Sequence, residues 1–159
     1  MSKILVCDDD QRHLDAAVEQ LSRGHELTCV DSYEEAIGLL KPSTNIEVLL
    51  SDLLMPAEPY ALGPQGMKFL GTSIPIGLIL ALRAAKVGVP LIAVVTDANH
   101  HNHPMSAAVD WLNPAYWNDK VTGLLHIEGS RVLIAHALLL ADGRKDWAKA
   151  LSVLQSDCC

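Results

Sequence analysis

No run of Lys or Arg occurs anywhere in the 159 residues, and twelve basic against nineteen acidic side chains leave a formal charge of -7. Direct binding to nucleic acid, whose phosphates demand clustered cations, is therefore disfavoured, and a protein partner is expected instead. Long apolar runs are equally missing. Ile4-Leu5-Val6 opens the chain but stops at three aspartates, and Leu91 to Val95 is only of strand length. Neither is a signal peptide or a membrane span, so a soluble, cytoplasmic protein is the expectation, with no membrane partner. The four cysteines lack metal-finger spacing. Cys7 and Cys29 sit in apolar runs and read as small core residues, while Cys158 and Cys159 end the chain, which suits a reducing compartment. No longer-period repeat is present. With half its residues apolar, a chain of this length can build one ordinary core, so residues 1 to 159 are expected to form a single domain.

What is present is an alternation of short apolar runs with longer segments of helical periodicity. Ile4 to Cys7 reads as a strand, and Gln11 to Gly24 as a helix with Leu14, Ala17, Val18 and Leu21 on its apolar face. Leu27 to Val30 is a second strand, and Asp31-Ser32 offers a cap for a helix that Lys41-Pro42 ends. Val48-Leu49-Leu50 leads to Asp52 as a third strand. Ser73 to Val87 reads as a helix with Pro75 in its first turn, and Leu91 to Val95 as a fourth strand. Pro104 to about Leu112 is a short helix, Arg131 to Ala135 a fifth strand, and Asp146 to Leu154 a last helix. Such alternation implies a doubly wound α/β fold around a five-stranded parallel sheet, because parallel strands need helical crossovers.

Two stretches, Pro56 to Thr72 and Asn113 to Ser130, exceed this plan and are long enough to be functional or partly structured. In the second, Leu124 to Ile127 and Arg131 to Ile134 flank Glu128-Gly129-Ser130, which offers an extra hairpin before the last strand.

In open α/β sheets a ligand lies beyond the carboxyl ends of the strands, so the residues just after each apolar run carry the chemical information. Here they are acidic: Asp8-Asp9-Asp10 after the first strand, Asp52 after the third, Thr96-Asp97 after the fourth. A single Asp in such a place often only caps the next helix, and Asp9 or Asp10 suits that role ahead of Gln11. As a set, carboxylates from neighbouring strand ends would repel one another unless a hard divalent cation lay between them, and Mg2+ prefers such oxygens.

These segments resemble the receiver domains of two-component response regulators. Lys3-Ile4-Leu5-Val6-Cys7-Asp8-Asp9-Asp10 is similar to the family's first strand and acidic pair. Val48-Leu49-Leu50-Ser51-Asp52-Leu53-Leu54-Met55-Pro56 is similar to its third strand with the phospho-accepting Asp and the Met-Pro that follows. Leu82-Arg83 with Val89-Pro90-Leu91-Ile92-Ala93-Val94-Val95-Thr96 is similar to its third helix and fourth strand. The likeness covers roughly residues 1 to 55 and 76 to 98. It implies a flavodoxin-like sheet of order 2-1-3-4-5 and a signalling domain, not an enzyme, that takes a phosphoryl group from a histidine kinase or phosphotransfer protein. Asp52 would be the acceptor, Asp8, Asp9, Asp52 and the Leu54 backbone carbonyl would hold Mg2+, and Thr96 would supply the switch hydroxyl.

The family's Lys-Pro after strand five has no counterpart beyond Thr96. If Arg131 to Ala135 is strand five, the equivalent place falls at His136-Ala137 and no lysine stands there. If Ala115-Tyr116-Trp117 ends a strand instead, Lys120 is the candidate and Trp117 lies near the family's aromatic switch. The first placement is preferred, because Asn118-Asp119 makes a poor strand interior. Asn99-His100-His101-Asn102-His103 falls on the same sheet edge and is either a transition-metal site or pH-sensitive gate, or, as the preferred reading, a solvated polar loop before the Pro104 helix, since no acidic or Cys partner lies at ligand spacing within the segment. Met55, Met67 and Met105 read as packing residues, and Trp111, Trp117 and Trp147 as anchors of late helices and loops.

The leading expectation is a stand-alone receiver whose output is a protein contact, with residues 56 to 72 and 113 to 130 as the place for a partner or for self-association into a homodimer. A receiver-like interaction module that is never phosphorylated is the alternative. A metal-dependent phosphohydrolase is less favoured, since Leu54 stands where a second acid would be needed to protonate a leaving group.

Overall fold

The computed structural model describes residues 1–114 and 123–156. In chain order the elements are β1 (Lys3–Cys7), α1 (Gln11–Leu21), β2 (Glu26–Val30), α2 (Tyr33–Leu39), β3 (Val48–Asp52), β4 (Met55–Pro56), α3 (Pro59–Gly66), β5 (Ser73–Ile74), α4 (Ile76–Lys86), β6 (Leu91–Thr96), α5 (Pro104–Val109), β7 (Leu124–Ile127), β8 (Ser130–His136) and α6 (Trp147–Gln155). The main sheet has the order β2-β1-β3-β6-β8-β7, and β4 and β5 form a separate pair. All pairings from β2 to β8 are parallel, which is the anticipated 2-1-3-4-5 order. The sheet has six strands where five were expected, because β7 folds back antiparallel on β8 as the expected hairpin. Its two-residue turn sets Glu128 and Gly129 at φ 51° and 84°, the left-handed pair that such a tight turn requires.

The strands read as continuous apolar runs because both faces of the sheet are covered. Successive side chains point to opposite sides. Leu5, Cys7, Leu49, Ile92 and Val94 enter one core with Ala36, Leu80, Ala84 and Val109 from the helices. Ile4, Val6, Leu50, Ala93 and Val95 enter the other with Leu14, Ala17, Leu21, Trp147 and Leu151.

Several details depart from the sequence expectations. The buried residues of α1 are His13, Leu14, Ala16, Ala17 and Leu21, whereas Val18 is 46% exposed. Helix α4 begins at Ile76, with Pro75 as its cap, because Ser73 and Ile74 are drawn into pairing with Pro56 and Met55. Residues 56 to 72 are structured: α3 is broken at Gly63, whose φ is 62°. Tyr33 and Glu34 tie this excursion to α2, Tyr33 Oη accepting from the Glu58 N–H at 2.8 Å and Glu34 Oε1 from the Tyr60 N–H at 2.6 Å. Trp147 and Met55 are core residues, but Trp111 is 92% exposed and Met67 41%. Cys7 is buried and Cys29 half-buried, both free; Trp117, Cys158 and Cys159 lie outside the described residues. Among the described residues no helix is long and apolar enough to cross a membrane.

Candidate functional site

The site lies at the carboxyl edge of β1, β3 and β6. Strand β1 delivers Asp8 at the sheet edge and the chain then turns into α1, whose cap is Asp10: its carboxylate accepts from the Arg12 N–H and pairs with the Arg12 guanidinium at 2.6 Å. The Asp10 N–H donates to Asp8 Oδ1 at 2.9 Å. With Asp10 engaged in capping, Asp8 and Asp9 remain for the neighbouring strand end. Asp8, Asp9 and Asp52 each place a carboxylate oxygen within 4.8 Å of the others. Asp8 and Asp52 are buried and Asp9 is exposed. All ligands on offer are hard oxygens, a set that fits Mg2+ and not a thiophilic or imidazole-seeking ion.

The backbone behind Asp52 is fixed by α4. The Gly77 N–H donates to the Leu53 carbonyl at 3.1 Å, and a Cβ at position 77 would lie 2.1 Å from the Asp52 carbonyl oxygen. Only glycine lets the helix approach so closely. Leu54, whose carbonyl the resemblance nominated as a ligand, is buried two residues beyond Asp52.

A lysine that neither sequence placement considered stands at the acidic cluster. Lys145 is 1% exposed, and its Nζ donates to Asp8 Oδ2 at 2.6 Å and Asp52 Oδ1 at 2.7 Å, with Asp97 Oδ1 at 3.6 Å. Lys120 lies outside the described residues. His136 does end β8, as expected, but residues 137–144 intervene before Lys145. They form a loop closed by the Leu139–Lys145 bridge, with the Asp146 N–H donating to the Leu138 carbonyl at 2.8 Å. The chain then enters α6 with Asp146 as cap.

The electrostatics follow from burial against charge. Burial pushes the Asp52 carboxyl up to about 7, with Asp8 adding to the rise and the Lys145 ammonium opposing it. Burial works against the Lys145 charge, yet Asp52, Asp8 and Asp97 outweigh it and hold the ammonium protonated more firmly than an ordinary lysine. Asp9, exposed at its surface but partly shielded from water on the side of the cluster, is raised by that partial desolvation and by the Asp8 charge. For Asp97 burial is outweighed by Lys145 and by a His13 hydrogen bond, and the carboxyl falls below its ordinary range.

Thr96 ends β6, buried, and its Oγ1 accepts from the Ala98 N–H at 3.1 Å. Beyond it a pocket of about 220 Å³ is lined by Thr96, Asp97, Asn99, His100 and His136 among others. The histidine segment meets an acidic partner from outside itself. Asp110, at the end of α5, meets His100 Nδ1 at 2.8 Å and His136 Nε2 at 2.9 Å. His103 is used as the cap of α5, accepting from the Met105 N–H.

No protein-family model matches the chain, and no curated protein matches it in sequence. Solved structures do match in fold. A response regulator receiver protein from Sinorhizobium medicae is 17% identical, with 96% of this chain and 93% of that one covered and a TM-score of 0.54. This chain has the receiver fold. A response regulator from Burkholderia multivorans is 19% identical, over 100% and 98% of the two chains, with a TM-score of 0.49. The RcsB response regulator of Salmonella typhimurium is 20% identical, over 98% of this chain and 59% of that one, with a TM-score of 0.48. Within this receiver fold, Asp8, Asp9 and Asp52 stand together as the sequence implied, and Lys145 joins them. The signal that could have located it is its place immediately before the cap of the last helix.

Proposed function

We propose that the protein is a phosphoryl-accepting signalling domain in which Asp52 is the acceptor and Mg2+ the cofactor. The observation that carries this reading is the convergence of Asp8, Asp9 and Asp52 within 4.8 Å, with the Lys145 ammonium already on two of them. Asp8, Asp9, Asp52 and the Leu54 carbonyl would hold the ion, which neutralises charge on the phosphoryl oxygens when bound. An Asp52 carboxylate oxygen attacks phosphorus, the bond from phosphorus to the donor breaks, and the donor leaves with that electron pair. Lys145 stands to pair with the phosphoryl oxygens, and Thr96 to hydrogen-bond them once transfer is complete.

The donor in this reading is a histidine kinase or phosphotransfer protein, and the output is a protein contact made or broken when about two negative charges are added at Asp52. The excursion after Pro56 is the surface proposed for that contact or for self-association: Tyr60, Phe69 and Leu70 are 89%, 51% and 50% exposed. A single cytoplasmic receiver-like domain over residues 1 to 159 completes the proposal. The reading of a never-phosphorylated module rested on the uncertain lysine and on the altered loops, and a Lys145 ammonium 2.7 Å from Asp52 Oδ1 speaks against the first of these.

The test is incubation with acetyl phosphate and Mg2+ followed by intact mass measurement. A labile phosphoryl adduct that Asp52→Asn abolishes supports the reading. No adduct with Mg2+ or Mn2+ sinks it in favour of the interaction module.

A further inference from the structure

Lys145 lies on a loop and not at the end of a strand, so something else must hold its ammonium between two carboxylates. Both backbone polar groups of Lys145 are taken by side chains of α1. Its N–H donates to His13 Nδ1 at 3.1 Å, and its carbonyl accepts from Gln20 Nε2 at 3.0 Å. His13 is 1% exposed. Since Nδ1 accepts a backbone proton, the proton of the neutral ring sits on Nε2, and there it faces Asp97 Oδ2 at 3.1 Å. The His13 carbonyl in turn accepts from Trp147 Nε1 at 2.9 Å, which pins the chain just after Lys145 to the same turn of α1.

We propose that His13 is a positioning residue for Lys145: its imidazole, oriented by Asp97, seats the lysine backbone so that the ammonium reaches Asp52 and Asp8. This rests on the phosphoryl-accepting reading above and assigns a role to a residue that touches neither acceptor nor metal ligand. The arrangement is a relay of orientation. Asp97 fixes the ring, the ring fixes the Lys145 N–H, and the side chain extends from that point into the carboxylate pair. A buried imidazole with both nitrogens engaged has no freedom to rotate, which is what a loop-borne ammonium needs from its support.

The test compares three variants that separate the two nitrogens. In His13→Asn the amide oxygen takes the place of Nδ1 and keeps an acceptor for the Lys145 N–H. In His13→Gln the amide reaches the place of Nε2 and keeps only the contact with Asp97, and His13→Leu keeps neither. Two readouts are taken: the rate of adduct formation from acetyl phosphate with Mg2+, and the protection of Lys145 from reductive methylation, read by peptide mass. His13→Gln and His13→Leu are expected to lower the rate by about tenfold or more and to expose Lys145 to methylation, as a displacement near 1 Å does elsewhere. His13→Asn is expected to stay within about threefold of the unmodified protein, with Lys145 protected. Rescue by Gln and not by Asn, or Lys145 protected in all three, overturns the proposal. The methylation readout stands without any phosphorylation, so an unmodified protein that takes no phosphoryl group but shows this protection pattern fails the functional reading and leaves the positioning role upheld. If a variant is destabilised, the rescue is judged between Asn and Gln samples of matched melting temperature.

Discussion

Lys145 Nζ stands 2.7 Å from Asp52 Oδ1 across 93 residues of sequence, and both groups are buried. A buried ion pair is weak evidence for stability as a whole, but breaking one by removing a single partner leaves an uncompensated charge. Lys145→Met keeps the length of the side chain and deletes the charge, so Asp8 and Asp52 are left facing each other. A loss of about 3 kcal/mol is expected in Mg2+-free buffer. Millimolar Mg2+ should restore part of it, because the ion replaces the missing positive charge, so Mg2+ should raise the melting temperature more in the variant than in the native protein. Equal Mg2+ responses in the two proteins would show that the lysine and the ion do not share the same carboxylates.

The Asp52 carboxyl carries a definite pH signature. Burial raises it from its ordinary 3.8 to about 7, so between those values the folded form binds more protons than the unfolded chain. Stability from this group is therefore present below pH 4 and is lost as pH rises through 7. Asp52→Asn, which removes the buried charge, should melt above the native protein at pH 8, with the difference shrinking as pH falls toward 4. Each kcal/mol of that difference corresponds to about 2–4 °C for a domain of this size. Thermal melts of both proteins over that pH range check the sign. The proposed phosphoryl acceptance would run the other way, since only the carboxylate attacks, and its rate at low Mg2+ should rise with pH through the same window.

Gly77 and Gly38 make a matched pair. At Gly77 an added methyl would meet the Asp52 carbonyl oxygen at 2.1 Å and Leu53 Cα at 2.8 Å, both backbone, while at Gly38 nothing lies within 4 Å. Helix propensity favours Ala at both by about 1 kcal/mol. Gly38→Ala should therefore gain up to that amount, whereas Gly77→Ala should lose about 3 kcal/mol through forced displacement of α4. Urea midpoints of the two variants give the comparison, and a stable Gly77→Ala would mean that α4 can withdraw from β3 without cost.

The parts of the fold legible in sequence are those set by local patterning. Strands buried on both faces appear as unbroken apolar runs such as Val48 to Leu50, and the hairpin is legible from the apolar runs that flank Glu128-Gly129-Ser130, although Ser130 proves to belong to β8 and the turn to Glu128 and Gly129 alone. The start of α4 was misplaced because Ser73 and Ile74 are claimed by a tertiary partner, Met55–Pro56, which propensity cannot see. Asp8, Asp9 and Asp52 were legible because strand ends fix them. Lys145 was not, since residues 137–144 separate it from the end of β8, and it returns to the sheet edge through tertiary contacts, the Leu139–Lys145 bridge and the His13 and Gln20 hydrogen bonds to its backbone. His13 was hidden for a related reason: on an amphipathic helix a single histidine beside Leu14 and Ala17 carries no periodic signal of its own.

The three consecutive aspartates should separate cleanly by function. Asp10 caps α1 and pairs with Arg12, which hold its carboxyl down near 2, and it is not among the three clustered carboxylates. Asp10→Ala should therefore cost about 1 kcal/mol of stability, the worth of an N-cap, with Mg2+ affinity almost unchanged. Asp9 has the opposite profile: partial desolvation and the Asp8 charge raise its carboxyl, so on the proposed reading its charge is slightly unfavourable without the ion and serves as a ligand with it. Asp9→Ala should leave the metal-free melting temperature level or slightly higher and weaken Mg2+ binding by about tenfold or more, since affinity in such sites follows the count of ligand charges. Mg2+ titrations monitored through Trp147, whose ring lies 5.5 Å from Lys145 Nζ, give both affinities in one experiment. A loss of Mg2+ affinity in Asp10→Ala equal to that in Asp9→Ala would place the ion on the cap and away from Asp52, and the proposed acceptor would then stand without the ion proposed for it.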